Sequence, residues 1–138
     1  MPEIDIVELR SPEARLDLAL PAAELILEIG MYRQTQTLGS IMRAMKDRTT
    51  MIAVEDDEVV GTAGLSLGQP GFGTLEDVIS DPDRRGDGFG RIVVEAVEAA
   101  AVRKQVVELN LSSSLIAMPF YEHLGYEDLG GGVYRKHL

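Results

Sequence analysis

The chain has no cysteine and no tryptophan, only two histidines, and 13 Lys and Arg against 23 Asp and Glu, a formal net charge of −10 over 138 residues. Without cysteine there is no disulfide, no thiolate metal site and no cysteine acyl-enzyme within the chain. His123 and His137 stand alone, without metal-ligand spacing, so no metal is expected. The acidic balance shows no basic face for nucleic acid, and no nucleic-acid partner is expected. Its plain reading is solubility; steering of a cationic substrate is the sharper one. No apolar run is long enough to span a bilayer, and the N-terminus lacks the basic-then-apolar layout of a signal peptide. The expectation is a cytoplasmic protein without a membrane partner. The length suits one domain, expected over 1–138.

Glycine is plentiful, and its most telling use lies at 80–90, SDPDRRGDGFG. The segment before it, GTLEDVI at 73–79, reads as a strand. The segment after it, 91–104, carries apolar residues at Ile92, Val93, Ala96, Val97, Ala100 and Ala101, a helical period with charge on the other face. A glycine-spaced turn therefore joins a strand to a helix, with Arg85, Gly88 and Gly90 in the pattern R-x-x-G-x-G. Glycine lets the backbone approach a ligand closely, and the first amides of a helix lack partners at the positive end of its dipole. Such a place suits a diphosphate; an ordinary tight turn is the plainer alternative. There is no G-x-x-x-x-G-K-[ST], which sets aside a P-loop. The spacing is G-x-G-x-G with no βαβ unit before it, which sets aside a dinucleotide fold.

Elsewhere, residues 4–9 alternate apolar and polar and read as a strand. Ser11 and Pro12 read as N-cap and first residue of a helix with Leu16, Leu20, Ala23 and Leu27 on its apolar side. Pro21 predicts a break or kink near Leu20, and Gly30 a C-cap. A second helix is expected over 36–46, with Leu38, Ile41, Met42 and Met45 on one side, as core or as a pocket wall. Residues 50–55 and 58–67 read as a hairpin turning at Asp56-Asp57, with the acidic run 55–58 as a solvated turn. Residues 69–73 read as a loop, 106–111 as a strand and 112–114 as a turn. The chain closes on a turn at 130–132 and a last strand at 133–136.

The segment AMPFYEHLGY at 117–126 completes a pattern. Strand, R-x-x-G-x-G, helix, strand and then A-x-x-F-Y-x-x-L-G-Y, in this order and spacing, resembles the GNAT superfamily of N-acetyltransferases, most clearly from Gly73 to Tyr126. The resemblance implies an α/β (α+β) fold: a mixed, mostly antiparallel sheet splayed between strands 4 and 5, with helices on both faces. It implies acetyl-CoA as cosubstrate, its pantetheine arm entering the splay and pairing with strand 4. The implied activity is acetyl transfer to a primary amine. With no cysteine to carry the acetyl group, direct transfer in a ternary complex is the natural route. The compact size favours a small-molecule amine as acceptor. A protein N-terminus or lysine, a non-catalytic acetyl-CoA-binding module and a homodimer all stay open.

Family roles carry over only where residues match. Val78, Ile79 and Ser80 match the part of strand 4 whose backbone bonds pantetheine. Arg85, Gly86, Asp87, Gly88, Phe89 and Gly90 match the diphosphate loop, with Arg91 as a charge partner; Asp87 is acidic where many relatives have Lys. CoA is an anion, so an acidic chain must hold it with local groups, the loop amides and Arg84, Arg85 and Arg91. Ser114 falls where the family often places Asn against pantetheine; its other role is a helix N-cap. Tyr121 matches the position that faces the CoA sulfur in many relatives. A phenol with a reference pKa of about 10 can donate to the leaving thiolate at neutral pH; packing is its alternative. Glu76 lies near the place where several relatives carry a base; a surface or salt-bridging glutamate is the alternative. Asp77, next along the strand, is expected on the opposite sheet face.

Overall fold

Alternating, β-branched segments dominate the first half of the sheet. The computed structural model describes residues 4–30, 35–84 and 88–138. The strands are β1 (Ile4–Leu9), β2 (Thr49–Glu55), β3 (Glu58–Leu67), β4 (Phe72–Ser80), β5 (Glu108–Ser112), β6 (Glu127–Gly130) and β7 (Val133–His137). The helices are α1 (Leu16–Ile29), α2 (Leu38–Ala44), α3 (Phe89–Arg103) and α4 (Met118–His123). Among the described residues the strands form one sheet in the order β1-β2-β3-β4-β5-β7-β6. β4 and β5 run parallel, and the other neighbours are antiparallel. The β2–β3 hairpin turns at Asp56-Asp57, both at positive φ (50° and 63°), the backbone that matches strand twist in a two-residue loop.

The sheet opens at its one parallel seam. β4 pairs with β5 only from Phe72↔Glu108 to Thr74↔Asn110. Past Thr74, β4 continues beside β3 to Ser80, while β5 pairs with β7. This is the splay expected from the sequence, and it leaves one edge of β4 without a strand neighbour.

Helices cover both faces because side chains alternate along the strands. On one face Leu18, Ala19, Ala22, Ala23 and Ile26 of α1 meet Ile41, Met45 and Ile52. On the other, Phe89, Val93, Val94, Val97, Ala100 and Ala101 of α3 meet Met51, Ala53, Ala63 and Leu65, with Tyr121, Tyr126 and Tyr134 extending the layer. Leu38 and Met42 pack against the first of these clusters, so the methionine face of α2 is core. Among the described residues no helix is long and apolar enough to cross a membrane.

Four expectations need correction. Pro21 does not break α1, which runs through it. Pro21 is exposed in the second helical turn, so the Asp17 carbonyl it deprives of a donor can turn to water. The irregularity falls earlier, where a 3-10 turn over Pro12–Arg15 meets the helix. The second helix begins at Leu38, capped by Thr37, whose side chain accepts from the Ser40 amide in a reciprocal capping box. Glu55 is not part of a solvated turn: it is 8% exposed and ion-paired to Arg84, which also bonds Glu58 at 3.0 Å. A seventh strand, β6, joins the sheet edge where no strand was expected.

Candidate active site

A cleft of about 500 Å³ opens where β4 and β5 part. Residues 74–79 of β4 line one side, and Ser112, Ser113, Ser114, Ala117 and Tyr121 the other. Gly30, Gln36, Ile41 and Ala44 line it from the α1–α2 side.

The edge of β4 faces this cleft. The Asp81 amide donates to the Val60 carbonyl at 2.8 Å. Antiparallel alternation then aims Ile79 at β3 and turns the N–H and C=O of Val78 and Ser80 toward the side that β5 has left. Val78 and Ile79 line the cleft.

Tyr121 sits in the first turn of α4, after Pro119, and is 7% exposed. Its ring packs edge-on to Phe120 and Tyr126, with centroids 5.0 and 5.8 Å away. Burial pushes its hydroxyl up to about 12, so it is fully protonated at neutral pH. It both packs and lines the cleft. Ser114 also lines the cleft, and its Oγ accepts from the Ala117 amide at 3.3 Å, fastening the turn that leads into α4.

The opposite wall departs from simple strand alternation. Thr62 pairs with Ile79 and Gly64 with Glu76, so Asp77 and Val78 together oppose Ala63, a β-bulge. Asp77 adopts a left-handed backbone (φ 48°), and its carbonyl accepts from the buried Thr62 hydroxyl at 3.2 Å. The bulge brings Glu76 and Asp77 to the same guanidinium and the same cleft, correcting the expectation that they face opposite ways. Nη1 of Arg48 lies 2.7 Å from Asp77 Oδ2 and 3.2 Å from Glu76 Oε2.

Arg48 did not emerge from the sequence. Its partners are 28 and 29 residues away, and a lone cation before a strand reads as a solvated end. The one signal was positional: Arg48 precedes Thr50 and Ile52 by two and four residues, which puts it on their face.

At the start of α3, Gly88 is the N-cap in a left-handed backbone (φ 82°). Glycine alone takes that conformation without strain, and a Cβ there would meet nothing within 4 Å. Among the described residues, the space beside Gly88 at the start of the helix is therefore open. Phe89 turns its side chain into the core, and Gly90 makes room for Phe120, whose ring would lie 3.3 Å from a Cβ. Arg91 bonds Glu95 along the helix at 2.6 Å, and Arg84 is held by Glu55 and Glu58, so neither side chain is aimed at this opening. Arg85, Gly86 and Asp87 lie outside the described residues.

Residues 14–126 match the Acetyltransferase (GNAT) family. Among curated relatives, the chain is 36% identical over 75 residues to glucosamine 6-phosphate N-acetyltransferase of Trypanosoma brucei brucei, covering 49% of this chain and 50% of that protein. The chain spans about half the length of the curated relatives it matches. Among solved structures, an aminoglycoside 6'-acetyltransferase type Ii superposes with TM-score 0.79 at 20% identity, covering 96% of each chain. PaiA N-acetyltransferase from Thermoplasma acidophilum, solved in complex with coenzyme A, gives TM-score 0.70 at 18% identity, covering 99% of each. At these identities the structural likeness speaks to the fold.

Proposed function

The chain belongs to the Acetyltransferase (GNAT) family, and from that premise we propose that it moves an acetyl group from acetyl-CoA to the primary amine of a small molecule, in one ternary complex. The observation that carries the reading is the shared cleft: a buried, fully protonated Tyr121 hydroxyl and the Glu76–Asp77 carboxylates line one cavity at the sheet's splay.

The residues suit the cosubstrate. Backbone groups of Val78 and Ser80 directed into the gap match the amides of a pantetheine arm, and the first amides of α3 beside Gly88 match a diphosphate. Because Arg84 and Arg91 are spent on carboxylates, amides supply most of that grip among the described residues. Ser114 Oγ is a further contact at the cleft.

Acyl transfer needs a neutral amine, a stabilised oxyanion and protonation of the leaving thiolate. Glu76, its side chain 38% exposed, takes a proton from the ammonium directly or through water. The amine nitrogen attacks the acetyl carbon, the C–S bond breaks, and sulfur leaves as thiolate. At about 12, the Tyr121 phenol is a weaker acid than a thiol of reference pKa about 8.5, so outright proton transfer to sulfur is uphill. Its contribution is a hydrogen bond that stabilises the growing thiolate charge. The nitrogen sheds its second proton as the amide forms, and that proton neutralises the thiolate, directly or through water.

Among the described residues lining the cleft Arg48 is the sole cation, and it is held by Glu76 and Asp77. That favours an acceptor with no phosphate near the reacting amine, unlike the sugar phosphate named for the trypanosomal relative. The test joins thermal unfolding with thiol release. Acetyl-CoA and CoA should raise Tm well above any effect of ATP or NAD, and a panel of small amines should release thiol. Equal shifts from all four nucleotides would remove the basis for the reading.

A further inference from the structure

We infer, resting on the acetyl-CoA reading above, that Arg48 and Thr62 are positioning residues. They clamp the bulge of β4 at Asp77, and the clamped bulge sets which backbone groups of β4 meet the pantetheine arm.

The bulge changes the outward edge of the strand. Before it, odd positions face β5: the Gly71 carbonyl accepts from the Val107 amide at 2.8 Å. Even positions face β3: the Phe72 carbonyl accepts from the Gly68 amide at 3.1 Å, and Thr74 and Glu76 follow in register opposite Ser66 and Gly64. After the bulge the parity is reversed. Ile79 pairs with Thr62, and the Asp81 amide donates to the Val60 carbonyl, so Val78 and Ser80 face the gap. An unbroken ladder would have sent out Asp77 and Ile79 instead. One extra residue at 77–78 therefore decides which edge is on offer where β5 has departed.

Asp77 sits in a left-handed backbone (φ 48°), which a side chain disfavours. Two groups from neighbouring strands hold it there. The hydroxyl of Thr62, buried in β3, donates to its backbone carbonyl at 3.2 Å. Arg48, just before β2, donates from Nη1 to its carboxylate at 2.7 Å. Arg48's side chain is 3% exposed and reaches Asp77 by crossing β3 at Gly64, where a Cβ would lie 2.9 Å from Nε and 3.0 Å from Cδ. Glycine leaves room for that crossing. Nε and Nη2 have no hydrogen-bond partner among the described residues. A buried guanidinium so incompletely bonded is a weak source of stability. The bonds it does make go to Asp77 and to Glu76 beside it.

The consequence is a matter of populations. Without the clamp, a side chain in the left-handed region is disfavoured by a factor of about 5 to 30. A ligand that binds only the clamped form loses affinity by the same factor. Arg48 and Thr62 thus hold the edge of β4 ready before the arm arrives.

The test reads equilibrium binding, because Arg48 also touches Glu76 and turnover would report both. Calorimetry gives the Kd of CoA, and an NMR titration gives that of adenosine 3',5'-bisphosphate, which lacks the pantetheine arm. Arg48→Met should weaken CoA by about 5- to 30-fold and leave the bisphosphate unchanged; a merely structural role would weaken both or neither. Thr62→Val, which keeps shape and charge, should weaken CoA by about 2- to 10-fold, and it carries the test if Arg48→Met does not fold. Adding Asp77→Gly to Arg48→Met should recover most of the CoA affinity, because glycine holds a left-handed backbone unaided. Adding Asp77→Ala, which removes the same charge, should not. Equal recovery by both assigns the effect to charge and overturns the inference. Recovery by neither overturns it too, as does wild-type CoA affinity in the folded Arg48→Met and Thr62→Val variants. A wild type that binds no CoA fells the acetyl-CoA reading and this role with it; a wild type that binds CoA whatever the state of the clamp overturns the role alone.

Discussion

In the proposed reaction Glu76 takes the ammonium proton and Tyr121 gives a hydrogen bond to the leaving sulfur, so their variants should differ in kind. Tyr121→Phe keeps the ring that packs on Phe120 and Tyr126 and removes only the hydroxyl. It should lower kcat by about 10- to 1000-fold, with acetyl-CoA affinity nearly unchanged in a direct binding titration. Affinity lost with turnover kept would make Tyr121 a binding residue. Glu76→Gln should lose most activity at low pH, where the amine is mostly protonated, and recover toward high pH. A wild-type rate across the whole range would place the base elsewhere. Residues differ in how readable they were. Tyr121 is marked by a local pattern, A-x-x-F-Y, that travels with its place in the fold. The facing of Asp77 was misread because strand alternation holds only until a bulge interrupts it, and TLEDVIS carries no local sign of one. Arg48 was invisible for a related reason: its meaning depends on a crossing over Gly64 and on carboxylates two strands away.

At the level of elements, strands and helices with a strong period were legible within a residue or two: β1, the β2–β3 hairpin, β4 and α3. β6 was not, because EDLG is exposed at every position and has no alternation to read. The helix at Pro21 was misjudged because a proline rule stated for helix interiors is relaxed on an exposed face near the helix start. That yields a prediction. Pro21→Ala restores a donor to the Asp17 carbonyl and should stabilise the fold by about 1–3 kcal/mol in denaturant unfolding; a loss of stability would show that the proline's fixed backbone outweighs the missing bond. At the start of α3, Gly88→Val forces a β-branched residue into a left-handed backbone, a strain of about 1–2 kcal/mol, and fills the open space before the helix amides. CoA affinity should fall at least tenfold by calorimetry while the variant stays folded. Unchanged affinity would reduce the loop to a turn.

For the molecule as a whole, buried phenols tie stability to alkaline pH. Burial pushes Tyr121 and Tyr134 up to about 12, with the Glu122 hydrogen bond adding to Tyr134. Tyr126 is pushed up by burial and then by Glu98, which it bonds at 2.8 Å. The sign follows from linkage: unfolded phenols ionise near pH 10, so the stability is intact below about pH 10 and is lost as pH rises toward 12. Tyrosinate absorbance should therefore rise together with loss of circular dichroism above pH 10. These tyrosines ionising near pH 10 in an intact fold would contradict their burial. The central claim concerns the splay, and backbone NMR during a CoA titration tests it most directly. Amide shifts should concentrate at Val78, Ile79, Ser80, Gly88, Phe89, Gly90, Ser114 and Tyr121, leave the outer face of α1 unmoved, and be much weaker with ATP. Shifts that avoid the β4–β5 gap, or that ATP reproduces in full, would contradict it.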